Sequence, residues 1–206
     1  MASTAARHPA QTQRDRSDQT RARLIEATIS CIATYGYPAT TTRRVAEIAD
    51  ASLGAIAHHF PVRLDLIKTA LDEVGQRMAT DLRAQAAEVT AQAGDRTPAL
   101  LDVLWSAFTS DLFGVWVKVW IAAVDDPALY HALAPLEPAL SATFAAIADD
   151  VAPEQLSRIE WTRRVAVALD AMRGLALSLT VQPRLTPVEH DPWPTTRAEL
   201  TALLDR

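Results

Sequence analysis

The sequence predicts an all-α fold, and two observations carry that prediction. Apolar residues recur at the i, i+3, i+4, i+7 spacing of amphipathic helices in four separate stretches, at 20–35, 64–82, 112–123 and 161–179. Helix start and stop signals fall around these stretches, among them Gly36, Ser52 and Pro127.

Length and composition exclude several classes of protein. A chain of 206 residues, 49% hydrophobic and 22% charged, can bury one or two ordinary cores and is neither fibrous nor disordered throughout. Residues 1–18 form a polar stretch without the apolar core of a secretory signal, so we expect a disordered arm. Charges interrupt the apolar runs before membrane-spanning length. The single cysteine, Cys31, fits a reducing compartment, and we expect a cytoplasmic protein without membrane contact.

Charge is distributed unevenly along the chain. Residues 1–64 hold eight arginines and five acidic groups, a net charge of +3, whereas residues 65–206 hold twelve basic and twenty acidic groups, a net charge of −8. A basic N-terminal region suits contact with phosphates, and an acidic remainder is repelled by them.

The first helix has a clear apolar stripe and a clear end. The stripe includes Leu24, Thr28 and Cys31, so the cysteine is interpreted as a small core residue, and Gly36 ends the helix. Thr40, Thr41 and Thr42 then offer caps for a second helix, in which we expect an inner side formed by Val45, Ala46 and Ile48.

A tight bend over residues 49–52 separates that helix from a short third one. Ser52 is a good N-cap, and Gly54 and Ala55 are small residues near the helix start, so its backbone can approach another surface closely. Two short helices around such a bend are the pattern of a DNA-binding helix-turn-helix.

Residues 20–67 resemble the DNA-binding domain of the TetR family of bacterial transcriptional regulators. The resemblance rests on matches at fixed spacing without gaps: Gly36-Tyr37, Thr40-Thr41, Val45-Ala46, Ser52-x-Gly54 and His59-Phe60. It implies a three-helix DNA-binding head at 19–64, after the arm at 1–18, and a helical ligand-binding and dimerisation body at 65–206. It also implies a homodimer that binds double-stranded operator DNA as a repressor and leaves it when a small-molecule effector binds.

The resemblance and the local chemistry together nominate a set of DNA-binding residues. They are Thr41, Thr42, Arg43, Arg44, Ser52, Leu53, Gly54, Ala55, His58, His59 and Arg63. Arg43 is the candidate for a guanine contact, and Leu53 and Ala55 offer apolar contact to thymine methyl groups. Arg14, Arg16 and Arg21 are further candidates for phosphate contacts.

Two departures from the family pattern lie in this region. Asp50 and Ala51 stand where the turn usually has Gly and Val, and Asp can adopt the left-handed conformation at modest cost. Ala57 stands where the family commonly has a tyrosine that touches a phosphate, so that contact is lost. The adjacent His58 and His59 diverge around the helix and have no Cys or carboxylate at i+3 or i+4, so we expect no metal site.

One long helix from Val62 to about Ala91 is expected to join the head to the body as a stiff connection. Beyond it, Thr97-Pro98 and Pro127 each start a further helix, and Pro135 and Pro138 interrupt the latter.

The body is rich in aromatic residues. They suit either a packed core or a pocket for a flat or cationic apolar ligand, and the sequence leaves both readings open. The candidate pocket residues are Trp105, Phe108, Phe113, Trp116, Trp120, Tyr130, Trp161, Met172 and Arg173.

The last two helices are predicted at Pro153–Val181 and from a capping box at Thr196-x-x-Glu199. In the TetR family, the last two long helices usually form a four-helix bundle with those of the partner. The candidate interface residues here are Val165, Leu169, Gly174, Leu200 and Leu203. Asp170 and Arg173, three residues apart, are expected to form a salt bridge within or between subunits rather than to contact ligand.

The body also resembles the BetI-like branch of the family. The similarity lies in a tryptophan-rich helix followed by Asp126-Pro127-x-Leu129-Tyr130, and in the Ala-Leu-Asp run at 168–170. No choline ligand is carried over from it.

Two other functions compete with the regulator that senses a small molecule. No nucleophile-base-acid set, metal cluster or glycine-rich phosphate loop stands at workable spacing, so an enzyme is not expected, and neither is a cofactor. The alternative is a DNA-binding regulator whose body is a protein-interaction or purely dimeric module without a small-molecule inducer.

Overall fold

The computed structural model describes residues 9–91, 96–149, 152, 156–181 and 191–205, and within them the chain is helical without a strand. The all-α prediction is therefore confirmed. The helices are α1 (Pro9–Tyr35), α2 (Thr42–Ala49), α3 (Leu53–His59), α4 (Arg63–Thr90), α5 (Arg96–Phe108), α6 (Asp111–Ala122), α7 (Pro127–Leu133), α8 (Leu136–Asp149), α9 (Arg158–Val181) and α10 (Trp193–Asp205).

The chain divides into two compact units, Met1–Glu73 and Val74–Arg206. The sequence predicts the boundary at residue 64, at the start of α4. The difference arises because the first part of α4 packs into the first unit, where Leu66, Ile67, Ala70 and Leu71 are buried.

The first unit is a three-helix arrangement closed by the start of α4. Helix α1 packs against α2 and α3, and α2 packs against α3. Leu24, Cys31 and Ile32 are fully buried on α1, and Val45 and Ile56 bring α2 and α3 onto them.

Two predictions in this unit need correction. Ile48 was expected on the inner side of α2 but is 41% exposed. The buried face of α2 is formed by Val45, Ala46 and Ala49, so Ala49 lies where Ile48 was expected. Helix α1 begins at Pro9, so residues 9–18 of the expected disordered arm are helical. Proline suits the first position of a helix, and the Ala, Gln and Arg that follow are good helix formers. Residues 1–8 lie outside the described residues.

The second unit contains the rest of α4 and helices α5–α10. Helix α5 packs against α6, α9 and α10, while α9 also packs against α8 and α10. The indole of Trp105 on α5 stacks on that of Trp193 on α10, with ring centroids 4.5 Å apart. Asp102 accepts hydrogen bonds from the Trp193 indole and from Arg197, which fixes α10 to α5.

The starts of the last two helices differ from the prediction. Helix α9 begins at Arg158, where the Ser157 hydroxyl accepts a hydrogen bond from the Glu160 amide; Pro153 lies outside the described residues. Helix α10 begins at Trp193, whose amide donates to the Asp191 carboxylate. The capping box at Thr196 is wrong, because the Thr196 hydroxyl donates to the Pro192 carbonyl inside the helix. Pro138 does not interrupt a helix either, since it lies in the first turn of α8.

Three of the five candidate dimer residues belong to the core of their own chain. Val165, Leu169 and Leu200 are at most 8% exposed, because the faces that carry them pack against other helices of the second unit. Leu203 is half-buried and Gly174 is exposed.

No single helix among the described residues is long and apolar enough to cross a membrane. Taken together, α5 and α6 meet the requirements of length and composition, with a bend of 58° between them.

Candidate nucleic-acid interface and body cavity

The bend between α2 and α3 is closed by a residue in the left-handed conformation. Asp50 has φ 48° and ψ 54°, as expected for the residue that replaces glycine here. The Ala51 amide donates to the Ala46 carbonyl over 3.0 Å, and the Asp50 amide donates to the Glu47 carbonyl. This pair of bonds satisfies two of the last four carbonyls of α2 and ends the helix.

Helix α3 starts directly after the bend, and its outer face is exposed to solvent. The Ser52 hydroxyl accepts a hydrogen bond from the Ala55 amide at 3.1 Å, as its role as N-cap predicts. Ile56 points into the core at 2% exposed. The outer face consists of Leu53, Gly54, Ala57 and His58, all exposed. It therefore presents small and apolar groups with a single imidazole.

The start of α2 contributes one solvent-exposed cation, Arg43. The Arg43 side chain is 83% exposed and pairs with Glu47, four residues later, at 3.3 Å. The neighbouring Arg44 is used inside the first unit: its Nη1 donates to the Ala39 carbonyl at 2.7 Å, and its guanidinium lies 4.7 Å from the Tyr35 ring centroid. Thr41 caps the helix by accepting from the Arg44 amide, and Thr42 is half-buried beside it. Arg43 is thus more accessible to DNA than Arg44.

The Arg63 side chain, a predicted phosphate contact, is hydrogen-bonded within the first unit. Its Nε donates to the Thr40 carbonyl at 2.8 Å, and its two terminal nitrogens donate to the Tyr37 hydroxyl and carbonyl at 3.3 and 3.1 Å. The guanidinium also lies 4.6 Å from the Tyr37 ring centroid. Arg63 therefore fastens the start of α4 to the loop between α1 and α2, with one hydrogen bond from each of its three nitrogens.

The two histidines that end α3 differ in exposure. His58 is exposed and His59 is half-buried, with their ring centroids 5.0 Å apart. Within the part of the chain that the structure describes, no three His, Cys, Asp or Glu side chains are grouped as a metal site requires. Of the arginines proposed earlier on α1, Arg14 and Arg16 are exposed, and Arg21 lies 5.2 Å from the Phe60 ring centroid.

The second unit contains a cavity of about 70 Å³, which we call the body cavity. Its aromatic wall includes Phe108, Phe113, Trp116 and Trp120, all expected from the sequence, and Phe144, which was not. The Phe108 ring stacks on Phe144 at 4.9 Å and meets Phe113 edge-on at 5.1 Å. The remaining lining residues are Val117, Ile121, Glu137, Leu140, Ser141, Arg173 and Leu177.

Four candidate pocket residues do not line this cavity. Trp105 is paired with Trp193, and Met172 is fully buried in the core. Trp161 is also buried, with its indole nitrogen donating to Asp149 at 3.0 Å. Tyr130 is 56% exposed and lines a separate surface groove with Trp120. Helical spacing alone does not separate these positions from those that face the cavity, since all lie on helices.

The body cavity has a polar end. Arg173 Nη1 lies 3.5 Å from a Glu137 carboxylate oxygen and 3.9 Å from an Asp170 oxygen, so the expected Asp170–Arg173 pair exists with a second carboxylate added. The Ser141 hydroxyl donates to the same Glu137 oxygen at 3.3 Å. Glu137 was missed in the sequence, although a lone acidic residue in the first turn of an apolar helix was a visible signal.

A capped helix with a bare outer face, set after a tight bend, defines a helix-turn-helix protein of the DNA-binding class. Residues 24–70 match the family described as bacterial regulatory proteins, tetR family. The N-terminal region is therefore a DNA-binding domain of the TetR type, and the chain is similar to transcriptional regulators of that family.

Similar proteins agree with this assignment. The chain is 30% identical over 118 residues to the transcriptional regulator CymR of Pseudomonas putida, covering 57% of this chain and 58% of that protein. It is 28% identical over 111 residues to BetI of Burkholderia mallei, covering 53% and 57%. The match thus spans less than two thirds of these relatives. These relatives are regulators and not enzymes.

A solved structure with the same fold is the multidrug binding protein EbrR complexed with ethidium. It is 25% identical, has a TM-score of 0.64, and the match covers 90% of this chain and 98% of that one. EbrR has also been solved with imidazole, with 26% identity, a TM-score of 0.61 and coverage of 89% and 94%.

Proposed function

We propose that this protein is a homodimeric repressor that binds a near-palindromic operator in the major groove and leaves it when a small molecule enters the body cavity. The observation that carries the proposal is the outer face of α3. Gly54 and Ala57 leave the helix backbone free to approach base edges, Leu53 offers apolar contact, and His58 adds one hydrogen-bonding group. The net charge of +3 on residues 1–64 favours phosphate contact around that helix.

Dimerisation is supported by an apolar strip on α9. Val167 is 52% exposed and Leu177 is 38% exposed, and the small residues Ala171 and Gly174 between them are also exposed. At Gly174 an added Cβ meets nothing within 4 Å, so a second helix can approach there closely. Exposed apolar residues on a helix favour burial against another surface, and a second copy of α9 offers a self-complementary one. Asp170 lies on the same face, with its side chain 77% exposed.

Release by a small molecule is supported by the body cavity. It combines several aromatic walls with a few polar groups, which is the usual composition of a ligand site. EbrR, a structural neighbour, is described as a multidrug binding protein. The alternative, a body without an inducer, leaves the cavity without a role.

The DNA-binding part is tested by selecting bound fragments from a random duplex library and measuring affinity for the enriched sequence at 50 and 200 mM salt. We expect a near-palindromic sequence and an affinity that falls by about three orders of magnitude or more, as several phosphate contacts require. Absence of an enriched sequence, or binding insensitive to salt, contradicts the proposal.

Two matched variants localise the contact. Gly54→Glu adds a carboxylate to the outer face of α3, where a new Cβ makes only an ordinary contact with Ser52 at 3.7 Å, so folding is preserved and DNA binding is lost. Ala84→Glu adds the same charge at an exposed position of α4 in the second unit and leaves binding unchanged. The protein with bound operator is then screened for small molecules that release it and raise its melting temperature. A screen without such a molecule favours the body without an inducer.

A further inference from the structure

We infer that the body cavity takes an aromatic compound with a single positive charge, with Glu137 as its counter-ion and Arg173 shifting to Asp170 as the compound enters. This inference rests on the proposed function, because it names the chemical class of the effector for the same cavity. It follows from the unequal way in which the charged groups at the polar end are paired.

Arg173 has two carboxylates within reach, and Glu137 has one guanidinium. The distance from Arg173 Nη1 is 3.5 Å to Glu137 and 3.9 Å to Asp170. Among the described residues, the cation within 4 Å of Glu137 is Arg173, and its other partner is the Ser141 hydroxyl. The three charged groups therefore sum to one negative charge at this end of the cavity.

Entry of a cation leaves every charge paired. A ligand cation that approaches Glu137 replaces Arg173, which keeps Asp170 as its partner. Asp170 is the more exposed of the two carboxylates, with 77% of its side chain accessible against 30% for Glu137, so water solvates that second pair. Entry of an anion has the opposite effect, since Arg173 turned to the ligand leaves Glu137 half-buried, unpaired and close to a like charge. An unpaired charge in such surroundings is strongly unfavourable.

The walls fit the same class of ligand. Phe113 and Trp116 are buried, and Trp120 is 45% exposed on the same helix, so aromatic rings line the cavity from its interior outwards. Aromatic faces attract cations and repel anions. The cavity of about 70 Å³ is small for an aromatic compound. Part of the ligand therefore lies outside it, or the helices move apart as the ligand enters.

The test uses three probes of one shape and different charge: benzamidinium, benzamide and benzoate, titrated calorimetrically into the full-length protein without DNA. We expect benzamidinium to bind roughly tenfold or more tightly than benzamide, as one added charged contact predicts, and benzoate to bind most weakly. Benzoate binding more tightly than benzamidinium overturns the inference, as does failure of all three to bind or to raise the melting temperature at millimolar concentration.

Variants assign the effect to Glu137. Glu137→Gln is expected to weaken benzamidinium about tenfold and to leave benzamide unchanged, while Glu137→Asp keeps the charge and retains most of the preference. Asp170→Asn removes the second partner of Arg173 and is expected to weaken benzamidinium by a smaller factor. Glu199→Gln, at an exposed position of α10, is the control. Unchanged benzamidinium binding by a folded Glu137→Gln protein overturns the inference. Because DNA is absent, failure of operator binding leaves this result standing, and failure here leaves operator binding standing.

Discussion

Arg63 Nε donates a hydrogen bond to the carbonyl oxygen of Thr40 at 2.8 Å, joining the first turn of α4 to the loop that precedes α2. A guanidinium can make this bond and the two bonds to Tyr37 at once, and an ammonium cannot. Arg63→Lys is therefore expected to lower the free energy of unfolding of the first unit by about 1–3 kcal/mol, measured by urea denaturation. Arg23→Lys, at an exposed position of α1, is the control. If the Arg63→Lys protein is as stable as the original and its DNA binding depends less on salt, Arg63 contacts a phosphate rather than stabilising the fold.

Arg43→Ala is expected to have the opposite pattern. The side chain is 83% exposed and its pair with Glu47 is a surface one, so stability should change by less than about 0.5 kcal/mol. Operator affinity should fall by about tenfold, measured by fluorescence anisotropy. Relaxed preference at one base pair indicates a guanine contact, and a salt slope smaller by about one indicates a phosphate contact. Glu47→Gln is the companion variant, and it should not weaken binding. Full affinity in Arg43→Ala contradicts a DNA contact by this residue.

Asp50→Gly is expected to stabilise the first unit by up to about 1 kcal/mol, because a non-glycine residue at φ 48° is strained and glycine is not. Asp50→Asn tolerates the same conformation without the charge and separates the two effects, and Asp50→Ala should destabilise. The measurement is the urea midpoint at fixed salt. Equal midpoints for Gly and Ala would show that the left-handed conformation carries no strain.

Ala57→Tyr is expected to raise DNA affinity several-fold for operator and unrelated DNA alike, since one hydroxyl-phosphate bond contributes about 0.5–1.5 kcal/mol. Ala57 is exposed, so the new ring needs no space in the core. Ala57→Phe has the ring without the hydroxyl and should leave affinity near its original value. A similar gain in both variants would attribute the effect to the ring rather than to a phosphate contact.

Glu160 is expected to make the stability of the second unit depend on pH in the acidic range. Hydrogen bonds from Arg163, and secondarily from Arg164, lower the pKa of its carboxyl below the usual 4.5. Its contribution to stability is therefore complete above about 4.5 and is lost as the pH falls through the lowered pKa of the folded state. The melting temperature of Glu160→Gln should approach that of the original protein as the pH is lowered through this range. A difference that does not vary with pH would contradict this role.

The sequence predicted best those features that local chemistry determines. Ser52 as a cap, Gly36 as a helix end at φ 80° and the left-handed Asp50 each depend on a few neighbouring residues. The family resemblance rests on the same short-range pattern, which is why the head was recognised with its bend and helices in place.

Features that depend on distant residues escaped prediction. Trp105 and Trp193 are 88 positions apart, and nothing in the spacing of either helix indicates that they stack. Arg63 meets partners 23 and 26 residues earlier. Val165 and Leu169 have the apolar character that both a core and a subunit interface require, so composition alone does not distinguish the two.

The chain carries one thiol, and it is fully buried on α1 in the first unit. A thiol reagent reaches Cys31 when that core opens, so the rate of labelling in native buffer reports the opening equilibrium of the head alone. The second unit has no described sulfhydryl to compete with this signal. Labelling of Cys31 therefore measures the local opening of the DNA-binding domain separately from that of the body, and it can be repeated in the presence of operator or effector.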